Sequence, residues 1–304
     1  MKTAVIDVGG GLRGMYAAGV LDYCLEKNIQ FDLGIGVSAG SANIASYAAH
    51  QKGRNYTFYK EYSRREEYMS PKNWKEKGSF VDLDYVYSTL SNSDGENPLD
   101  YKAIMKNPME IYTVATNAIT GHPAYFGKDK MAENEYSIFK ASCSIPVVCP
   151  PYKVKNVPFF DGALSDPIPL DKAFELGAER VVLILTKPAA IPRTPYKDST
   201  LSLLMHHYPK AAHGLRHRAE TYNAVVDRAR ELEKEGRVII ISPDDTCGVD
   251  TLKRDDLALH NLYLKGYLDG EKIEQFLSSQ PAEPDAFQTL DSDTEIQKRP
   301  EMAE

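Results

Sequence analysis

The chain has 304 residues, 42% of them hydrophobic and 26% charged, a balance that suits one large α/β domain or two small ones. Its net charge of −7 argues against a nucleic-acid partner, because phosphate binding needs clustered Lys and Arg. The cysteines, Cys24, Cys143, Cys149 and Cys247, show no C-x-x-C spacing, so neither a metal site nor a disulfide framework is expected. Asp7, Arg13 and a glycine cluster interrupt any signal-like apolar core near the start, and no run is long enough to span a bilayer. The expectation is a cytoplasmic protein, with reversible membrane contact left open.

Thr3 to Val8 reads as a short buried strand, and Met15 to Asn28 as a helix with Tyr16, Val20, Leu21, Cys24 and Leu25 at helical spacing. Phe31 to Val37 reads as a second strand and Ser41 to His50 as a small-residue helix. Such a βαβα opening builds a parallel sheet. Residues 54 to 69 read as helical, and 70 to 100, with Pro71, Gly78 and Pro98, as loops with short helical pieces. Glu110 to Asn117 is a predicted strand, Pro123 to Phe126 a neighbouring extension, and Ser137 to Ser144 a short helix. Val157 to Phe160 predicts a strand, Pro169 to Leu176 a helix, and Arg180 to Thr186 a strand buried on both faces. Helices are predicted over Leu201 to Tyr208, Leu215 to Glu235 and Leu252 to Leu268, with a last strand at Arg237 to Ser242. Residues 280 to 304 are polar, acidic and Pro-containing, which predicts disorder.

Three motifs carry chemistry. Gly36-Val37-Ser38-Ala39-Gly40 lies between a predicted strand and helix. A sharp turn there exposes a serine hydroxyl and needs small neighbours, here Gly36 and Gly40. The helix N-terminus adds N–H groups near the reacting centre. Gly9-Gly10-Gly11-Leu12-Arg13-Gly14 follows the first strand, and its backbone N–H groups can face an anion. Arg13 either orients that loop or is a solvated charge. The same glycines match a dinucleotide fingerprint, but the next strand runs into Ser38 instead of ending on an acidic residue. Asp161-Gly162-Ala163 ends another predicted strand and offers a carboxylate; Asp166 is a second one nearby.

In this order the motifs resemble those of the patatin-like phospholipases, and Ala141 to Pro146 and Asp161 to Leu170 look like that family too. The resemblance covers roughly residues 3 to 186. It implies a three-layer α/β/α sandwich with a mostly parallel central sheet. The hydrolase domain would be 1–279, its C-terminal helical part about 196–279, followed by the tail 280–304. It implies a serine acyl hydrolase of lipid or small-ester substrates, independent of metal and cofactor, with a Ser–Asp dyad. Ser38 would be nucleophile and Asp161 general base. The oxyanion would be held within Gly9, Gly10, Gly11, Leu12, Arg13 and Gly14, chiefly by the N–H groups of Gly10, Gly11 and Leu12. One departure stands out: the family usually has an acidic residue directly before the glycines, and here that position is Val8, with Asp7 one earlier.

Two alternatives stay open at this point: a low-activity or regulatory protein of the same fold, and a Rossmann-type nucleotide binder. A Ser–acid–His triad could formally draw on His206, His207, His213, His217 or His260. The stretch holding Tyr56, Phe58, Tyr59, Tyr62, Tyr68 and Trp74 is either a lid or ordinary helix packing.

Overall fold

A computed structural model describes residues 1–279; the predicted tail over 280–304 lies outside the described residues. The chain opens as foreseen, with β1 (Thr3–Asp7), α1 (Gly14–Glu26), β2 (Leu33–Val37) and α2 (Ala39–Ala48). Then come α3 (Arg54–Lys60), α4 (Pro71–Lys77), α5 (Tyr101–Lys106), β3 (Glu110–Asn117), β4 (Pro123–Gly127) and α6 (Ser137–Ser142). β5 (Tyr152–Val154), β6 (Val157–Asp161), α7 (Leu170–Glu175) and β7 (Arg180–Ile184) follow. The last part holds α8 (Tyr196–Ser202), α9 (Pro209–Lys234), β8 (Val238–Ile241), α10 (Asp256–Asp269) and α11 (Glu271–Ser278).

The eight strands of the described residues form one sheet, in the order β5-β6-β3-β2-β1-β7-β8 with β4 paired to β3. The pairs among β1, β2, β3, β7 and β8 are parallel, and those of β4, β5 and β6 antiparallel. Side chains alternate across the central strands. Val5, Val182 and Ile184 join Met15, Ile44 and Leu259 on one face. Ala4, Ile6, Val181 and Leu183 join Leu170, Tyr222 and Val226 on the other. The sheet is therefore covered by helices on both sides, the three-layer sandwich expected from the resemblance. Truncating one such fully buried side chain, Leu183→Ala, would leave a cavity and cost about 2–5 kcal/mol.

The C-terminal helices differ most from expectation. α9 begins at Pro209, six residues before the predicted start at Leu215. Gly214, inside the added turn, sits where a Cβ would come within 2.6 Å of the Leu164 carbonyl oxygen, so its absence of side chain serves packing. The buried stripe Ala211, Leu215, Ala219, Tyr222, Val226 has helical spacing throughout. α10 starts at Asp256, not at Leu252, because Asp255 caps it by accepting the Ala258 N–H at 3.0 Å. Residues 251 and 252 turn instead against the glycine loop. α10 lies on α1 through two close approaches, Gly266 against the Tyr16 carbonyl and Gly19 against the Tyr263 carbonyl. Strand β5 and helix α11 had no clear signal.

Candidate active site

Ser38 stands between β2 and α2 with φ 56° and ψ −131°, a strained backbone for a residue with a Cβ. The turn is tight enough that a Cβ on Gly36 would lie 2.3 Å from Ser41 Cα, and one on Gly40 would lie 2.3 Å from the Asp7 carbonyl oxygen. Those contacts are the physical reason for both glycines of the elbow. The turn is pinned from α6: the Ser38 N–H donates to Ser142 Oγ at 2.8 Å, and Ser142 Oγ donates to the Val114 carbonyl at 2.6 Å.

Sheet register brings Asp161 to this serine. β2 pairs with β3 up to Val37↔Val114, and β6 takes over at Ala115↔Asp161. β4 occupies the other edge of β3 over the same residues, so β2 and β6 lie end to end along one edge. Ser38 leaves β2 where Asp161 ends β6. The Asp161 N–H donates to the Ser144 carbonyl at 2.9 Å, and its Oδ1 accepts the Ala163 N–H at 2.9 Å. Burial pushes the Asp161 carboxyl up; the Ser38 hydroxyl beside it, the Ala163 N–H and the charges of Arg218 and Arg193 act the other way. The Ala141–Pro146 stretch thus buttresses both residues, through Ser142 and Ser144.

The glycine loop runs alongside. Gly9, Gly10 and Gly11 all have positive φ (62°, 120° and 62°), which explains three consecutive glycines. A Cβ on Gly9 would strike the Val37 carbonyl at 2.2 Å, so the loop lies directly on the elbow. Asp7 anchors it: the carboxylate accepts the Gly9 N–H at 2.8 Å and the Asn43 amide at 2.8 Å, while Tyr59 donates its hydroxyl to Asn43 Oδ1 at 2.9 Å. Burial pushes the Asp7 carboxyl up to about 6 against those two hydrogen bonds. The acidic anchor therefore exists one position earlier than the family pattern, and Val8 is simply a core residue.

The loop's N–H groups are not all free. Gly9 gives its N–H to Asp7, and Leu12, expected as an oxyanion donor, gives its N–H to the Thr251 carbonyl at 2.9 Å. Gly10 and Gly11 are left with no acceptor among the described residues. Arg13 is buried and donates to Asp250 Oδ1 at 2.9 Å and Thr251 Oγ1 at 2.8 Å, so it orients the loop and is not a solvated charge. Burial, then the neighbouring Arg193, pushes its pKa down to about 10. Gly14 starts α1 and packs against the Tyr59 hydroxyl.

An apolar cavity opens from Ser38, with Phe58, Tyr59, Tyr68, Tyr87 and Leu252 among its walls. Three of the six aromatic residues singled out in the sequence reach it; Tyr62 packs on Phe58, Tyr56 on Tyr263, and Trp74 is 46% exposed. No histidine lines the cavity: His260 binds the Tyr56 hydroxyl at 2.9 Å, His217 binds Glu220, and the His206 and His207 rings meet each other at a 45° tilt. Asp166 is held by the Tyr125 hydroxyl at 2.6 Å, away from Ser38. Cys143, buried beside Ser38, shares a 3.1 Å contact with the Tyr87 hydroxyl. Asn43 and Thr251 went unnoticed in the sequence, and Ser142 stood out only as part of the Ala141–Pro146 stretch, with no role of its own. Asn43 and Ser142 stand in runs of small residues near a motif, which is a weak signal, and Thr251 gave none.

Residues 8–174 match the model of the patatin-like phospholipases, and residues 208–288 match a domain of unknown function (DUF6363). The chain is 28% identical over 199 residues to the uncharacterised protein YjjU of Escherichia coli, an alignment covering 64% of this chain and 54% of that protein. It thus spans about half the length of that relative. Among solved structures, VipD of Legionella pneumophila superposes with a TM-score of 0.47 at 14% identity, covering 90% of this chain and 66% of that one. No helix among the described residues is long and apolar enough to cross a membrane. The first of these matches takes in more than half of the chain, together with the elbow, the glycine loop and Asp161, and the chain belongs to the patatin-like phospholipase family.

Proposed function

We propose that the protein is a serine acyl hydrolase that cleaves carboxylic esters of phospholipids or related lipids, with Ser38 as nucleophile and Asp161 as its base. Asp161 takes the Ser38 proton as Oγ attacks the ester carbonyl. The N–H groups of Gly10 and Gly11 receive the oxyanion, each such donor supplying about 3 kcal/mol of barrier lowering. Collapse expels the alcohol, protonated by Asp161. The same carboxylate then takes a proton from water, which attacks the acyl-enzyme and restores Ser38. The aromatic cavity holds the acyl chain. The observation that carries this reading is the strained Ser38 beside the buried Asp161 at the mouth of that cavity. A fluorophosphonate probe should label Ser38 and stop ester turnover together; label on another residue, with turnover retained, would sink the assignment.

A second reading, a slow or regulated enzyme, draws on one contact. The Thr251 carbonyl holds the Leu12 N–H, which would otherwise be a third oxyanion donor. Asp250→Ala combined with Thr251→Ala, which removes both acceptors that Arg13 has in this segment, should then raise kcat; an unchanged kcat rules that reading out. Cytoplasmic location and peripheral lipid contact belong to the same proposal, and co-sedimentation of Ser38→Ala with anionic vesicles tests the contact.

A further inference from the structure

The cations around the site outnumber the carboxylates that pair with them. Lys187 lies just past the end of β7 and next to the glycine loop: β1 and β7 pair through Asp7↔Ile184, and Thr186 Oγ1 donates to the Gly9 carbonyl. The Lys187 ammonium is half-buried and has no hydrogen-bond or ion-pair partner among the described residues. Arg193 is fixed by its own backbone, whose N–H and C=O both bond the Asn223 amide at 2.9 Å. Its guanidinium lies 3.5 Å from the Tyr222 ring centroid and its Nε has no acceptor. No carboxylate among the described residues forms an ion pair with it. Arg13 and Arg218 have one each, Asp250 and Asp198.

These four cations feel one another, and Arg193 and Arg218 act on Asp161 directly. Crowded like charges destabilise a fold unless an anion joins them. Burial, reinforced by Arg13, Arg193 and Arg218 against Asp250, pushes the Lys187 ammonium down to about 8. In a chain of net charge −7 this concentration of positive charge is local. Asp250, which also feels Lys187 and Lys197, is an internal anion at its edge.

We propose that Lys187 and Arg193, supported by Arg13 and Arg218, form a subsite for a phosphate-type anion. The inference rests on the hydrolase reading of Ser38 and adds the ligand class recognised beside it. Phosphate suits the site because its several acceptor oxygens can take an ammonium and a guanidinium together, which one carboxylate does less well. Lys187, Arg193 and Arg218 all lie beyond residues 8–174, so the subsite is built by the part of the chain outside the patatin-like match.

Two measurements test it. Ser38→Ala is titrated with inorganic phosphate by calorimetry, alone and combined with Lys187→Gln. The active protein is assayed on dihexanoyl phosphatidic acid and dihexanoylglycerol, esters that differ by the phosphate. We expect phosphate binding to weaken about tenfold or more with Lys187→Gln, as the loss of a charge-assisted bond predicts. We also expect the kcat/KM ratio of the two esters to fall similarly in Lys187→Gln and Arg193→Gln. A falling ratio assigns the anion to a substrate head group. Weakened phosphate binding with an unmoved ratio assigns it to free phosphate, and the subsite stands in both cases. Equal phosphate binding with and without Lys187, together with an unmoved ratio, overturns the subsite. If neither ester is turned over, the hydrolase reading fails instead, and the calorimetry still decides the subsite.

Discussion

From β1 to β6 the site is made of backbone: a strained serine turn, three glycines at positive φ, and a carboxylate set by sheet register. The segments after β7 contribute differently, by reaching back with Thr251, Asp250, Lys187 and Arg193. Backbone devices demand glycine at fixed positions and so leave a pattern in sequence. Side chains that reach across the fold need only the right distance, which almost any loop can supply. One chain therefore holds a legible half and an illegible half of a single site.

Breaking the first half should cost most. Ser38→Ala should lower ester kcat/KM by at least ~10³-fold with the fold intact by circular dichroism. Asp161→Asn should follow at about 10³-fold if it is the only base; an equally dead histidine variant among the five after Asp161 would restore the triad. Gly11→Ala tests where the halves meet, since the new methyl would sit at positive φ and 2.3 Å from the Thr251 carbonyl. Displacing the loop there should cost roughly 10²-fold, and no loss would mean the loop does not position the oxyanion.

Asp7→Asn should cost about tenfold, because an amide cannot accept from both Gly9 and Asn43 without turning one donor onto another. It should also change the pH dependence of stability. The Asp7 carboxyl is raised from 3.8 to about 6 in the folded chain, so the folded state holds its proton longer than the unfolded one. Stability from this group is present below pH 3.8 and declines, by up to ~3 kcal/mol, as pH rises through about 6. Urea melts of Asp7→Asn should lack that decline. The smallest effect belongs to the second half: preference for the phosphate-bearing ester should fade as pH passes about 8 and Lys187 loses its charge, and a preference flat to pH 10 would remove Lys187 from the subsite.

The glycines were legible because each sits where a Cβ would collide with backbone, as Gly9, Gly36 and Gly40 do. Asp161 was legible as a motif, though only the switch from β2 to β6 along β3 explains its approach to Ser38. Leu12 was expected as a free N–H donor because nothing near it in sequence announces an acceptor 239 residues later at Thr251. Val8 was seen as the departure, and Asp7, one position earlier, is the anchor of the loop, a matter of which strand residue points toward α2. The start of α9 was missed although its buried stripe already begins at Ala211, and Gly214 within it packs on the Leu164 carbonyl.

The contact between α1 and α10 limits how this chain can be divided. Gly266 and Gly19 let two helix backbones touch, and a methyl at either would meet a carbonyl oxygen at about 2 Å. Leu259, Leu262 and Ile273 then close over Met15 and Val5. A fragment ending after β7 would bare that face to water and, we expect, sediment as an aggregate, where the whole chain would not. The segment that carries the motifs thus lacks part of its own cover, and transplanting it into another protein would mean taking α10 along.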